Sequence, residues 1–243
     1  MLRRVVLVLA ATALTLLLTS GVALALNEVG TNGPDTLRGT HEDDNLVGKG
    51  GNDVLFALRG RDNLLGGPGK DWVLGGNKRI PFGGEKNLAG GPGNDGVYGG
   101  IGSDTVVGGP GNDHILSDLG SDSVAGEEGR DFIDSWLGSD RIAGGEGPDW
   151  IVDGPLDETV KDTVSGGDGD DVIIVNNDPA VRDKVSCGGG FDRVAADRKD
   201  LIADDCERVR IGPAAHEELW EMFEELGFVE VFEGLAPDPT VSN

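Results

Sequence analysis

The sequence predicts an all-β fold built as a stack of short repeat units. Three observations carry that expectation. An aspartate returns every nine residues through the middle of the chain, at Asp95, Asp104, Asp113, Asp122, Asp131, Asp140 and Asp149. An apolar residue stands two places after each one, at Val97, Val106, Ile115, Val124, Ile133, Ile142 and Ile151. Glycines crowd the places before each aspartate, where a turn needs positive φ or close backbone approach. Each unit thus offers one carboxylate on a turn and one Val, Ile or Leu on a short strand, where such residues suit a buried position.

Taken in order, the chain opens with residues 1–25, which have the pattern of a secretory signal peptide. Arg3 and Arg4 form the positive start, Val5 to Leu18 the apolar run, and Ala23-Leu24-Ala25 an A-x-A cleavage site. The run is short for a membrane span of roughly 20 residues. The expectation is a secreted, extracellular chain cleaved after Ala25, with no membrane span in the mature part.

Residues 26–209 form the repeat domain. The first units hold Asp35, Asp44, Asp53, Asp62 and Asp71, followed by Leu37, Leu46, Leu55, Leu64 and Val73. The carboxylate place then fails at Ile80 and Lys86, although Phe82 and Leu88 keep the apolar plug. After the unbroken block the register resumes with wider spacing at Asp162, Asp171, Asp183 and Asp192, with plugs Val164, Ile173, Val185 and Val194. Glu42, Val160 and Val181 stand where the usual glycine precedes Asp44, Asp162 and Asp183, and these three are left out of the ligand set. Core periodicity outlasts the carboxylates, so the irregular units are expected to fold with the rest. The interruptions at 76–86, 153–161 and 176–182 are expected either to break the stack or to bulge from it.

Carboxylates on glycine turns offer only oxygen. Calcium is a hard cation that takes about six to eight oxygens at roughly 2.3–2.6 Å, so turn carbonyls must supplement one carboxylate per unit. No D-x-[DN]-x-[DN]-G run is present, which sets aside the EF-hand loop.

Gly91-Pro92-Gly93-Asn94-Asp95, Gly109-Pro110-Gly111-Asn112-Asp113 and Gly145-Glu146-Gly147-Pro148-Asp149 match G-G-x-G-x-D-x-U-x, with U apolar. The chain therefore resembles the RTX (repeats-in-toxin) nonapeptide family, over roughly residues 31–197. The resemblance implies a parallel β-roll, or solenoid, with two nonapeptides per turn, so that units eighteen apart stack with calcium between them. Asp95, Asp113, Asp131 and Asp149 would line one edge, and Asp104, Asp122 and Asp140 the other. Asp35, Asp53 and Asp71 would stack likewise near the start, with Asp44 and Asp62 opposite. The implied metal set adds Asp171, Asp192 and the turn glycines Gly93, Gly102 and Gly111, with Ca2+ as the cofactor. Many members of that family leave the cell by a C-terminal signal, whereas this chain carries an N-terminal one.

Cys187 and Cys206 are the only cysteines, and in an exported chain the expectation is one disulfide that staples the last turns. Residues 210–243 change composition. Pro213 to Leu226 reads as an acidic amphipathic α-helix, with Leu219, Trp220, Phe223 and Leu226 on one face and Gly227 at its stop. The expectation is a short helical cap, with a docking helix as the alternative, followed by a disordered tail.

The charge is −24, with 20 Lys and Arg against 44 Asp and Glu. Self-repulsion on that scale opposes a compact state. The expectation is that calcium cancels it and that folding is coupled to the ion. No basic stripe exists, which excludes nucleic acid as a partner. Catalysis finds no support: the histidines are His41, His114 and His216, the His216-Glu217 pair lacks a second His because Trp220 stands there, and no G-x-S-x-G elbow occurs. Gly91 to Gly96 fits G-x-G-x-x-G only inside the repeat array, so dinucleotide binding is rejected. His114 is expected to point outward from its strand. The reading is a non-enzymatic calcium-binding roll with a structural or surface role. A surface face for a protein or glycan partner stays open as the alternative, as does a non-catalytic relative of RTX hydrolases. A regular ligand face, as on ice-binding RTX proteins, would need a ladder of one exposed residue type. The place three before each aspartate, with Asn32, His41, Gly50, Arg59, Pro68, Pro92, Ile101, Pro110 and Leu119, shows none.

Overall fold

The computed structural model describes residues 25–76, 84–153, 160–175 and 181–212. Residues 1–24 of the expected signal peptide, the unit at Ile80 and Phe82, and the helix expected from Pro213 to Leu226 lie outside the described residues.

Among the described residues twenty strands follow one another. The first seven are three residues each: β1 (Asn27–Val29), β2 (Thr36–Arg38), β3 (Asn45–Val47), β4 (Val54–Phe56), β5 (Asn63–Leu65), β6 (Trp72–Leu74) and β7 (Asn87–Ala89). Then come β8 (Gly96–Ile101), β9 (Thr105–Pro110), β10 (His114–Leu119), β11 (Ser123–Glu128), β12 (Phe132–Asp134), β13 (Arg141–Glu146) and β14 (Trp150–Val152). The last are β15 (Thr163–Asp168), β16 (Val172–Val175), β17 (Lys184–Gly189), β18 (Arg193–Ala196), β19 (Leu201–Ile202) and β20 (Arg208–Ile211). Odd strands form one ten-stranded sheet and even strands the other, each in ascending order. Among the described residues every strand pairing is parallel. The chain is an all-β parallel solenoid of about nine turns.

The plugs explain the architecture. Strand side chains alternate between faces, and the residue two after each aspartate points between the sheets. Leu37, Leu46, Leu55, Leu64, Val73 and Leu88 begin one continuous core. Val97, Val106, Ile115, Val124, Ile133, Ile142 and Ile151 carry it on, and Val164, Ile173, Val185 and Val194 close it. With one plug per strand, no pair of strands buries enough alone, so stability comes from stacking.

The strand ladder is unbroken across the interruptions. Pairing runs at an offset of 18 in Asn45↔Asn63, widens to 24 in Asn63↔Asn87, and returns to 18 in Asn87↔Thr105. It widens again in Arg141↔Thr163 and Thr163↔Lys184 with the ladder intact. On either side of the first interruption β5 pairs with β7 in one sheet and β6 with β8 in the other.

The outer faces differ. On the odd sheet, the first residue of each of the first five strands is exposed: Asn27, Asn45, Asn63, Asn87 and Thr105. Asn45 Nδ2 donates to Asn27 Oδ1 at 2.7 Å, Asn63 Nδ2 to Asn45 Oδ1 at 2.8 Å, and Asn87 Nδ2 to Asn63 Oδ1 at 2.7 Å. A ladder thus exists, at a repeat position other than the one inspected in the sequence, and on alternate units only. On the even sheet, Phe132, Trp150, Val172, Ile174 and Ala195 form a second buried cluster. His114 leaves the strand on this outer face as expected, yet it is buried. Its ring centroid lies 5.9 Å from that of Tyr98 and 5.1 Å from that of Phe132, and burial lowers its pKa to about 4.

Candidate metal centre

The turns place the aspartates in two rows, one along each edge where the chain passes between sheets. Where an aspartate stands one coil further on, its Oδ1 accepts from the backbone N–H at the aspartate place. On the edge leading into the even strands, Asp35 donates to Asp53 and Asp53 to Asp71, each at 2.8 Å, and Asp71 donates to Asp95 at 2.7 Å. The row continues through Asp113, Asp131, Asp149, Asp171 and Asp192 at 2.8–2.9 Å. It ends where Asp192 N–H donates to Glu207 Oε2 at 2.9 Å.

The other row leads into the odd strands. Asp44 N–H donates to Asp62, and Lys86 N–H to Asp104. Asp104, Asp122, Asp140, Asp162, Asp183 and Asp200 follow in the same way. The stacking partners implied by the resemblance are therefore the partners observed, Asp95 with Asp113, Asp113 with Asp131 and Asp131 with Asp149 among them.

One carboxylate oxygen is consumed by this ladder. The second, Oδ2, is buried and has no hydrogen-bond partner at Asp53, Asp62, Asp71, Asp95, Asp104, Asp113, Asp131, Asp149, Asp171, Asp183 and Asp192. Nearby turn N–H groups are already committed to carbonyls: Gly67 N–H to Gly90 O at 2.8 Å, and Gly91 N–H to Gly108 O at 2.9 Å. At the first coil a donor arrives: Thr31 N–H and Thr40 N–H reach Oδ2 of Asp35 and Asp44 at 2.5 Å. A buried carboxylate oxygen without a donor is costly.

Carbonyls converge on the same points. A Cβ on Gly66 would lie 2.5 Å from both Asp71 Oδ2 and Gly90 O, and one on Gly90 would lie 2.6 Å from Asp95 Oδ2 and 2.8 Å from Gly108 O. Gly93, Gly102 and Gly111 have φ of 159°, 143° and 149°. A Cβ on Gly111 would collide with the carbonyl oxygen of Gly93, and one on Gly93 with that of Gly69. The turns are thus layers of carboxylate and carbonyl oxygen that only glycine leaves open.

Electrostatics give the same picture. Burial raises the carboxyl pKa of Asp113 and Asp149 to about 8, that of Asp95 and Asp131 to about 7, and that of Asp62 and Asp71 to about 6. The ladder N–H opposes this shift in all six, and the charge of the stacked aspartate adds to it in Asp62, Asp71, Asp95, Asp113 and Asp149. Stacked buried carboxylates backed by carbonyls are an all-oxygen donor set that lacks positive charge, which fits a hard divalent cation such as calcium.

Every aspartate of the expected set lies in one of the two rows. Asp35 differs from the others by its half-exposed place and its bonded second oxygen. Asp44, Asp162 and Asp183, set aside for want of a glycine, occupy the same register and are buried. The plug two residues on was the better signal, because it fixes the strand and thereby the carboxylate. Asp200 was missed; Ile202 stands two places after it, but no glycine turn precedes it. Asp153 was also missed. It is buried at a place where other units hold glycine, and its carboxylate lies within 4.8 Å of those of Asp140 and Asp162. Cys187 and Cys206 form the expected disulfide, with Cα atoms 5.2 Å apart.

Among known families, the sequence profile of the RTX calcium-binding nonapeptide repeat matches residues 29–64, 47–77, 83–115, 116–151 and 161–178. No curated protein matches the chain.

Proposed function

Because the chain belongs to the RTX calcium-binding nonapeptide repeat family, we propose that its two carboxylate rows bind calcium and that the bound ions complete the fold. One observation carries this reading: along one edge the buried Oδ2 atoms of Asp53, Asp71, Asp95, Asp113, Asp131, Asp149, Asp171 and Asp192 have no hydrogen-bond donor. On one edge Asp53, Asp71, Asp95, Asp113, Asp131, Asp149, Asp171 and Asp192 hold the ions, with Asp35 at the open end. On the other Asp62, Asp104, Asp122 and Asp140 do so, together with Asp44, Asp162 and Asp183. Carbonyls of the turns, including those of Gly93, Gly102 and Gly111, fill the remaining coordination. Bound calcium supplies positive charge, and its role is structural.

The net charge of −24 makes the coupling strong. Calcium held only by the folded state stabilises it by mass action. Extracellular calcium modules work at roughly 10⁻⁴–10⁻³ M, which matches export through the signal-like residues 1–25. The disulfide supports the same compartment. Calorimetric calcium titration of the chain, followed in parallel by circular dichroism, tests this. Several ions bound per chain, with β signal rising as they bind, is the expected result; no binding at millimolar calcium would sink the reading.

A second reading has its own observation. The exposed Asn27–Asn45–Asn63–Asn87 ladder lies beside the exposed Val29 and Leu65 on one sheet face. Such a regular face suits a glycan or protein surface. Glycan binding by the calcium-loaded chain that is lost in N63K supports this role; no binding, or equal binding by N63K, removes it.

A further inference from the structure

Lys86 stands in the aspartate register of the edge that leads into the odd strands. Its N–H donates to Asp104 Oδ1 at 2.8 Å, and its carbonyl accepts from Thr105 N–H at 2.8 Å. These are the two bonds that aspartates of the row make. Yet the side chain is a cation, and it is 2 % exposed. A buried charge needs partners. The ammonium finds one in its own turn, where Nζ donates to Gly84 O at 3.0 Å. The same carbonyl faces the next coil, where a Cβ on Gly102 would lie 2.5 Å from it.

The stem runs where neighbouring turns hold a carboxylate. A Cβ on Gly75 would lie 3.0 Å from Lys86 Cδ, whereas the equivalent atom on Gly90 would lie 2.6 Å from Asp95 Oδ2. Asp62, one coil below, and Asp104, one coil above, are both buried. The positive charge of Lys86 favours the ionised form of both carboxylates. This is also the rung at which the stacking offset widens to 24.

We propose that Lys86 is a tethered cation whose ammonium does in its turn what a metal ion does in the neighbouring turns, so that this rung closes without metal. The inference rests on the reading of the turns as calcium sites and states where along the edge a site is replaced. A charged amine has three donors and no lone pair, so it cannot ligate calcium and it repels the ion. The row is thereby divided into a short group at Asp44 and Asp62 and a long group from Asp104 to Asp183. Because a lysine is present at every calcium concentration, β5, β7 and β9 are held together before the ion arrives. Repeat stacks nucleate at any stable unit and grow outward, and this rung is the metal-free seed.

The test uses the full chain as wild type, K86D and K86M. Calcium stoichiometry is read by calorimetry and native mass spectrometry, starting from saturating calcium so that a variant unfolded in chelator is still counted. Amide hydrogen exchange is read in chelator. K86D is expected to hold at least one more ion than wild type. K86M is expected to hold no more than wild type, and its amides in β5, β7 and β9 to exchange at least about tenfold faster in chelator, because local opening sets exchange there. Wild type that binds calcium while K86D holds the same number overturns the role of Lys86 alone, and so does K86M with unchanged protection. Wild type that binds no calcium overturns the reading of the turns, and the K86M exchange rates then decide whether the lysine charge holds the rung.

Discussion

Each aspartate in the rows divides its oxygens between two tasks. Oδ1 closes the ladder between coils, and on the proposed reading Oδ2 faces a cation, save in Asp35 and Asp44, where Thr31 and Thr40 N–H already reach it. The two tasks separate under mutation. In D131N the amide oxygen still accepts from Asp113 N–H, a bond now 2.8 Å long, while a buried charge is removed. The calcium-free chain should be no less stable than wild type in urea, yet at least one ion should be lost in a calorimetric titration. Gly111 tests the opposite element of the site. Its φ of 149° and the Gly93 carbonyl against it leave no room for a methyl group. G111A should cost about 2–4 kcal/mol, read as a lower denaturation midpoint at saturating calcium, with the coils around β9 and β11 the first to open.

At the scale of the element, strands of three residues would be too short to stand alone, and each is held by one plug. Ile133 in β12 is fully buried. I133A should cost about 2–5 kcal/mol from lost transfer and the remaining cavity, measured by denaturation in calcium. The plug matters more than the turn chemistry, because widened offsets at Asn63↔Asn87 and Arg141↔Thr163 leave the strand ladder unbroken. The terminal coil lacks that support: Leu201, Val209 and Ile211 are all exposed. The disulfide closes 19 residues of chain there. Reducing it should cost roughly 3 kcal/mol in the chain-entropy account, and the loss should appear as faster exchange in β17 to β20 with little change in the middle of the stack.

For the whole molecule, charge decides. In the calcium-free chain, burial holds carboxyl pKa values such as those of Asp95, Asp113 and Asp149 at about 7 to 8. The folded state then binds protons that the unfolded state has released, so folding is favoured at low pH and disfavoured as pH rises. The chelated chain should therefore show most β structure below about pH 4 and lose it progressively as pH climbs toward 8. Calcium inverts this dependence by competing for the same oxygens. Binding should release protons and need more calcium at pH 5.5 than at pH 8, which paired titrations with circular dichroism would measure; a midpoint independent of pH would contradict it.

The period of nine, with a carboxylate and a plug at fixed places, was enough in the sequence to reveal a stack of repeat units and most of its acidic turns, and the family resemblance implied that the stack is parallel. Local chemistry carries that information: glycine before aspartate makes the turn, and the apolar residue two places on makes the core. The sequence could not say what the irregular units do. Whether the stretch around Ile80 broke the stack depended on pairing between Asn63 and Asn87, a contact between residues far apart in the chain. Asp44, Asp162 and Asp183 looked deficient by their missing glycines, yet stacking against their neighbours places them in register. Asp153 and Lys86 acquire their meaning only from coils above and below. The Asn27–Asn45–Asn63–Asn87 ladder emerges once alternate units are sorted onto separate sheets. The sequence by itself determined the repeat, the core and the supply of carboxylate oxygen, since these are properties of a single unit. Only the tertiary structure decided which units touch, because stacking energy and like-charge repulsion belong to pairs of coils and to no unit alone.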